Sequence, residues 1–295
     1  MKKYLISVSC KTRLRLWVLT LFFAVFTGLA GAQSLPLSNK LWSTTVYIES
    51  VYQRPAASPK VKDTLAGTAF LIADGDKVYL VTAKHLIVAA INGKDQQSAN
   101  NSLFISANWA NNGQAADKPI KLEGLSGWDV HKRPFVFSPD KLDIAIISFQ
   151  KNKYKNVLAA ILKNNRKPVM VDSIDVSNDH HPGDALFVPT YFTYKNKKGV
   201  RGRTEGIGRD KIKTFGQASP LFTIEGFVNQ GHNGAPVYIN DKMIGMLTNQ
   251  EGVLTNADII REPYRTAKSA KAIKVSYILP LLRKLQQNEH TPGFN

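Results

Sequence analysis

Two side chains in this sequence stand where acid–base chemistry is easiest to build. His85 follows the run Tyr79-Leu80-Val81-Thr82-Ala83-Lys84. It therefore lies just past a buried strand, carried by rigid structure yet able to face a cleft, as a general base must. Asp143 precedes Ile144-Ala145-Ile146-Ile147. A carboxylate at the mouth of an apolar strand can orient a histidine and stabilise its imidazolium where water does not compete. Taken alone, each has a plainer reading, as a structural histidine and as a turn or cap aspartate. A third group, Asp179-His180-His181 with Asp184, has the residue types of a metal site. It flanks Pro182-Gly183, however, and reads as a turn entering a strand. No metal and no cofactor are expected.

The elements that must position these residues are mostly strands. Residues 44–51, 66–72, 78–82, 144–149, 185–188, 236–239 and 243–248 are short runs rich in β-branched and aromatic side chains. Asp74-Gly75-Asp76 and Asn240-Asp241 supply turn signals between them. A sustained helical period is read only near the end, where Ile278, Leu281, Leu282 and Leu285 fall at i, i+3, i+4 and i+7. Many strands and one closing amphipathic helix predict an all-β protein built of barrels rather than an α/β sheet. The polar, Asn-rich stretch 92–112 reads as an inserted surface loop.

The N-terminus reads as an export signal. Lys2, Lys3, Lys11, Arg13 and Arg15 precede the nearly unbroken apolar run from Trp17 to Leu29. Ala30-Gly31-Ala32 then predicts cleavage before Gln33. The rival reading, an uncleaved anchor, needs roughly 20 apolar residues, and this run is shorter. Cys10, the single cysteine, would leave with residues 1–32. An exported, cysteine-free domain suits a bacterial periplasm or exterior and must rely on its core rather than on disulfides. Removing the five basic residues of the signal takes the formal charge from +17 to +12. Much of that excess lies in the glycine-containing, hairpin-like stretch Lys195 to Lys213, a solvated basic loop or a patch for anionic envelope surfaces. Aromatic residues do not interleave with its charges, so nucleic acid is not an expected partner.

The loop Gly231-His232-Asn233-Gly234-Ala235-Pro236 gives these residues a context. With His85 in Thr-Ala-Lys-His and Asp143 in Asp-Ile-Ala-Ile, in that order, it resembles the chymotrypsin/trypsin-like serine peptidase family in its disulfide-free bacterial form. The resemblance covers roughly residues 66–285. It implies two antiparallel six-stranded barrels with the active site in the crevice between them. Within a domain of 33–290, the first barrel would occupy about 40–150, the second about 151–275, and a C-terminal helix about 276–287. By the same resemblance His85 is the general base and Asp143 its orienting carboxylate. The backbone N–H groups of Gly231 and Asn233 form the oxyanion hole, and Phe227, Thr248 and Asn249 border the primary substrate pocket. The implied partner is a peptide or protein lying in the crevice.

Asn233 departs from the family at the position of the nucleophilic serine. A carboxamide has no hydroxyl to give to a histidine and cannot form the acyl-enzyme. His232 beside it faces away from the scissile bond in the family. Three explanations stay open. The chain is a pseudoprotease that binds without cutting; it is an active endopeptidase whose nucleophile lies elsewhere, for example at Ser219; or it is an inactivated copy of a working enzyme. A reading of a different class makes the protein a basic envelope-surface binding module.

Overall fold

The computed structural model describes residues 41–53, 62–91, 102–107, 119–123, 125, 132–139, 141–195, 201–228, 231–248, 267–290 and 294. Apart from Leu41 they all belong to one compact unit, Trp42–Asn295. The expected leader with Cys10, most of the 92–112 stretch, Asn249 and residues 196–200 of the basic stretch lie outside the described residues.

The first half is an antiparallel sheet built on β1 (Thr45–Gln53), β2 (Lys62–Asp74) and β3 (Lys77–Thr82). The others are β4 (Ser102–Ser106), β5 (Ile120–Leu122), β6 (Phe135–Phe137), β7 (Ala145–Ser148) and the two-residue β8 (Val169–Met170). Their order is β5-β4-β1-β2-β3-β7-β6, with β8 added in parallel to β2. The second half is a closed six-stranded barrel. Its strands are β9 (Ala185–Lys195), β10 (Arg201–Phe215), β11 (Leu221–Val228), β12 (Pro236–Ile239), β13 (Lys242–Thr248) and β14 (Ala267–Lys274), ordered β10-β11-β14-β13-β12-β9. The all-β architecture with a closing helix is therefore as expected. The first half is a curled half-barrel rather than a closed one: its edge strands β5 and β6 span three residues each and do not pair with one another among the described residues.

Local chemistry explains the tight turns. Asp74 pairs with Lys77 and Ile239 with Lys242, so both hairpins close over two residues. Such loops need left-handed backbone, which Gly75 (φ +61°) and Asn240 (φ +56°) supply. Strand β1 is buried on both faces. Val46 and Ile48 enter the core of the sheet, while Tyr47 turns toward the barrel and meets Tyr191 of β9 edge-on at 5.7 Å.

Among the described residues, two α-helices longer than a single turn precede the expected C-terminal one. The first, α1 (Lys84–Ile91), continues directly from the strand run, and its apolar sequence carries no sign of where strand becomes helix. The second, α2 (Asn152–Lys163), lays Tyr154, Val157, Leu158 and Ile161 against the sheet core. That spacing is itself a helical period, so the signal is present in the sequence. The C-terminal helix, α3 (Val275–Glu289), buries Val275, Ile278, Leu281, Leu282 and Leu285.

The end of α3 is clasped to the sheet through one carboxylate. Glu289, 4% exposed, accepts from Lys77 Nζ at 3.0 Å, from the Tyr79 hydroxyl at 3.1 Å and from the Ser148 hydroxyl. Burial, with the carboxylate beside it, pushes the Tyr79 hydroxyl well above its ordinary range, so it stays a donor. Truncating one partner of such a cluster leaves buried donors unpaired. Glu289→Ala is expected to lower unfolding free energy by about 2–3 kcal/mol. Urea denaturation measures it, and a loss below about 0.5 kcal/mol, the ordinary scatter of surface substitutions, would show the clasp to be incidental.

Candidate active site

The site forms where α1 leaves the sheet. The opening N–H groups of a helix have no partner within it. In α1 two of them are met by a single residue of the strand connection: Asp143 O accepts from Lys84 N at 3.2 Å, and Asp143 Oδ1 from His85 N at 2.9 Å. The other carboxylate oxygen, Oδ2, lies 2.7 Å from His85 Nδ1. A carboxylate can only accept, so Nδ1 carries the proton, and the lone pair falls on Nε2. His85 and Asp143 side chains are 25% and 21% exposed. Both side chains are thus part-buried, and the ring keeps contact with solvent.

A third donor reaches the carboxylate from the barrel. Thr248, the last residue of β13, places its hydroxyl 3.2 Å from Asp143 Oδ2. Expected as part of a pocket wall, Thr248 is 6% exposed and turned toward the aspartate. Burial alone would raise the Asp143 carboxyl. The charge of protonated His85, the bonds from its ring and backbone N–H, and the Thr248 bond outweigh burial and hold it below the ordinary carboxylate range.

The loop carrying Asn233 is pinned to both halves of the molecule. Thr68 N of β2 donates to Asn233 O at 2.9 Å, and Gly234 N donates to Leu247 O of β13 at 2.9 Å. Ala235 N closes a turn on His232 O at 2.9 Å, and Leu247 N returns to Ala235 O at 2.7 Å. Gly234 has φ +85°, and a Cβ there would run into Thr68 O, Thr82 Oγ1 and Ala83 N. Only glycine fits so close to the residues that lead into His85. Gly231, at φ +104°, has its carbonyl held by two threonine hydroxyls, Thr68 at 2.6 Å and Thr190 of β9 at 3.3 Å. Thr68 and Thr190 were not legible as site residues; a threonine inside an apolar strand looks like ordinary strand sequence.

Among the described residues the N–H groups of Gly231 and Asn233 donate to nothing. Asn233 Oδ1 is buried and accepts no hydrogen bond among the described residues. His232 is 5% exposed, and burial drives its imidazole down to about 4, so it is neutral at ordinary pH and is not presented to the cleft. Ser219 lies in the turn before β11, where its hydroxyl accepts from Leu221 N at 3.1 Å. The full length of β11, about 25 Å, separates it from the Asn233 loop. Phe227 is a residue of β11 close to the loop. At the expected turn, His181 N donates to Asp184 Oδ2 at 2.8 Å and His180 packs edge-on to Phe215 at 5.2 Å.

The arrangement holds His85 Nδ1 on a carboxylate and leaves Nε2 free to take a proton. Its stability should depend on acid in a defined direction. A carboxyl lowered by folding stabilises the fold above its unfolded value, near 3.9, and loses that contribution as pH falls through the folded value. Acid titration of the urea midpoint should therefore show a loss below about pH 4 that is diminished in Asp143→Asn. An identical acid profile in both proteins would mean that Asp143 is not held as described.

No family model matches this sequence, and no curated protein does. Among solved structures, the HtrA-type protease AlgW with decapeptide is similar at 11% identity, covering 86% of this chain and 67% of that chain with a TM-score of 0.44.

Proposed function

We propose that the protein is an exported member of the trypsin-like serine peptidase family that has kept the general base, its carboxylate and the oxyanion donors but binds peptide without cleaving it. The observation that carries this reading is the His85 Nδ1–Asp143 Oδ2 contact of 2.7 Å, reinforced by the Thr248 hydroxyl, beside a loop whose nucleophile position is Asn233. A part-buried carboxylate held by three donors is costly to assemble unless its geometry is used, and perturbed carboxylates of this kind gather at functional sites. Export rests on the basic-apolar-small order of residues 1–32.

The chemistry sets the consequence. With no hydroxyl at residue 233, oxyanion stabilisation and binding alone supply about 10³–10⁴ over water, far short of a working peptidase. The remaining parts do not depend on that hydroxyl, since the loop is held by backbone bonds and by Thr68 and Thr190.

Asn233→Ser tests the reading. The substituted protein is expected to gain hydrolysis of a fluorogenic casein substrate, at least about 100-fold above the parent. That gain should disappear when His85→Ala is added. Hydrolysis by the unsubstituted protein that depends on His85 would overturn the pseudoprotease reading and leave the peptidase family standing. Absence of both hydrolysis by Asn233→Ser and peptide binding by the parent would remove the family reading as well.

A further inference from the structure

Strand β6 turns two phenylalanines to one face, and two cations are drawn to them. Phe135 and Phe137 lie two residues apart and share the inward side of the half-barrel, with ring centres 5.1 Å apart. The Arg133 guanidinium lies over both rings, 5.4 Å from the centre of Phe135 and 6.0 Å from that of Phe137. The ammonium of Lys84, the first residue of α1, lies over Phe137 as well, at 5.9 Å. Attraction to an aromatic face accounts for either cation alone. It does not account for two like charges gathered at one ring, since they repel one another.

Their hydrogen bonds are incomplete. An ammonium carries three donors and a guanidinium five. Lys84 Nζ donates to Ser138 O at 3.2 Å. Arg133 makes no hydrogen bond and no ion pair among the described residues, and its Nε is buried without an acceptor. A buried N–H left in this way is unfavourable. Lys84 makes no ion pair among the described residues either. The Asp143 carboxylate, whose connection Lys84 N meets through Asp143 O, is already taken by His85 and Thr248. The pair thus has donors and charge in excess, and no acid beside it to use them.

We propose that Arg133 and Lys84 form a binding site for a compact oxyanion, a phosphate or carboxylate group, seated beside Phe137. The site adjoins the connection that carries Asp143, because Ser138 N donates to Ile144 O at 3.1 Å and Lys84 N to Asp143 O at 3.2 Å. A guanidinium meets two oxygens of either group with a pair of N–H donors, and the ammonium adds a point charge. An oxyanion there gives the buried Nε its acceptor and replaces repulsion between the cations by attraction to a shared centre. The proposal is independent of the peptide reading, since it uses neither the Asn233 loop nor the His85 ring. A plainer role, in which Arg133 only covers the two rings, needs its aliphatic stem and not its charge.

Isothermal titration calorimetry with inorganic phosphate and with acetate, at an ionic strength held constant by sodium chloride, separates the two. One saturable site with a dissociation constant of about 1 mM or below is expected for at least one of these anions. Arg133→Met keeps a stem over the rings and removes the fork of donors, and Arg133→Gln removes the charge but keeps a polar end. Each should weaken the site at least about ten-fold, and Lys84→Met should weaken it by a smaller factor; urea unfolding in chloride confirms that the variants fold. Binding of phosphate alone identifies a phosphoryl ligand, of acetate alone a carboxylate, and of both the shared oxyanion, and each supports the site. The chain is strongly basic, at +17 overall, so anions can gather elsewhere on it. Saturable binding that is unchanged in the Arg133 variants or in Lys84→Met belongs to such a place and overturns the proposal, as does the absence of saturable binding by either anion.

Discussion

The Asp143 carboxylate is the constraint on which the rest of the site depends. It accepts the His85 backbone N–H, the His85 ring Nδ1 and the Thr248 hydroxyl, while its own carbonyl accepts Lys84 N. One residue therefore caps the start of α1, fixes the tautomer of the imidazole and joins the half-barrel to the closed barrel. Desolvation opposes an ion here, and the sum of these donors overcomes it. The helix start adds its own partial positive charge to the same spot. The aspartate lies in the connection two residues before β7 and the threonine ends β13, so the contact ties the two halves together.

The second half of the site is built on different physics. The Asn233 loop has little side-chain anchorage and is positioned almost wholly through backbone. It donates to and accepts from β13, it accepts from Thr68 N, and its Gly231 carbonyl is held by Thr68 and Thr190. Left-handed backbone at Gly231 and Gly234 makes this close approach possible. Thr68 is the shared element. Its hydroxyl donates to Gly231 O and accepts from Tyr191 N, while its N–H and carbonyl meet Asn233 and Thr82. The loop is therefore referenced to β2, the strand that pairs with β3 and leads through it to His85.

What the sequence made legible follows from where information is local. Two-residue hairpins announced themselves through Asp74-Gly75-Asp76 and Asn240-Asp241, because left-handed backbone demands particular residues. The apolar runs of β1, β3, β7 and β13 and the leucine stripe of α3 were equally plain, and they delimit His85 and Asp143. Other features depend on partners far along the chain. Strand β10 reads as a hairpin-like, glycine-containing basic stretch, and it pairs with β9 from Arg201 to Lys211; its alternation becomes visible only once Ile212 is known to face a barrel core. Strand β14 hides in the same way, since Ala270 and Ala272 fill the core with the smallest side chains available. Thr248 could be placed near the site by position, but the direction of its hydroxyl is a tertiary fact.

Asn233 shows how far a loop can be positioned by its backbone alone. Its backbone atoms fit the loop: the carbonyl is bonded to Thr68 N, and the N–H, like that of Gly231, donates to nothing among the described residues. Its side chain fits less well, for Oδ1 is buried without a partner among the described residues, a cost of about 1–3 kcal/mol. A loop shaped around a carboxamide would be expected to satisfy that oxygen. This one is shaped around its backbone and accepts the carboxamide at a loss. The Gly231 and Asn233 N–H groups and the His85–Asp143 pair owe nothing to the side chain at residue 233, so the reading proposed above, binding without covalent chemistry, requires no change in the backbone of the loop.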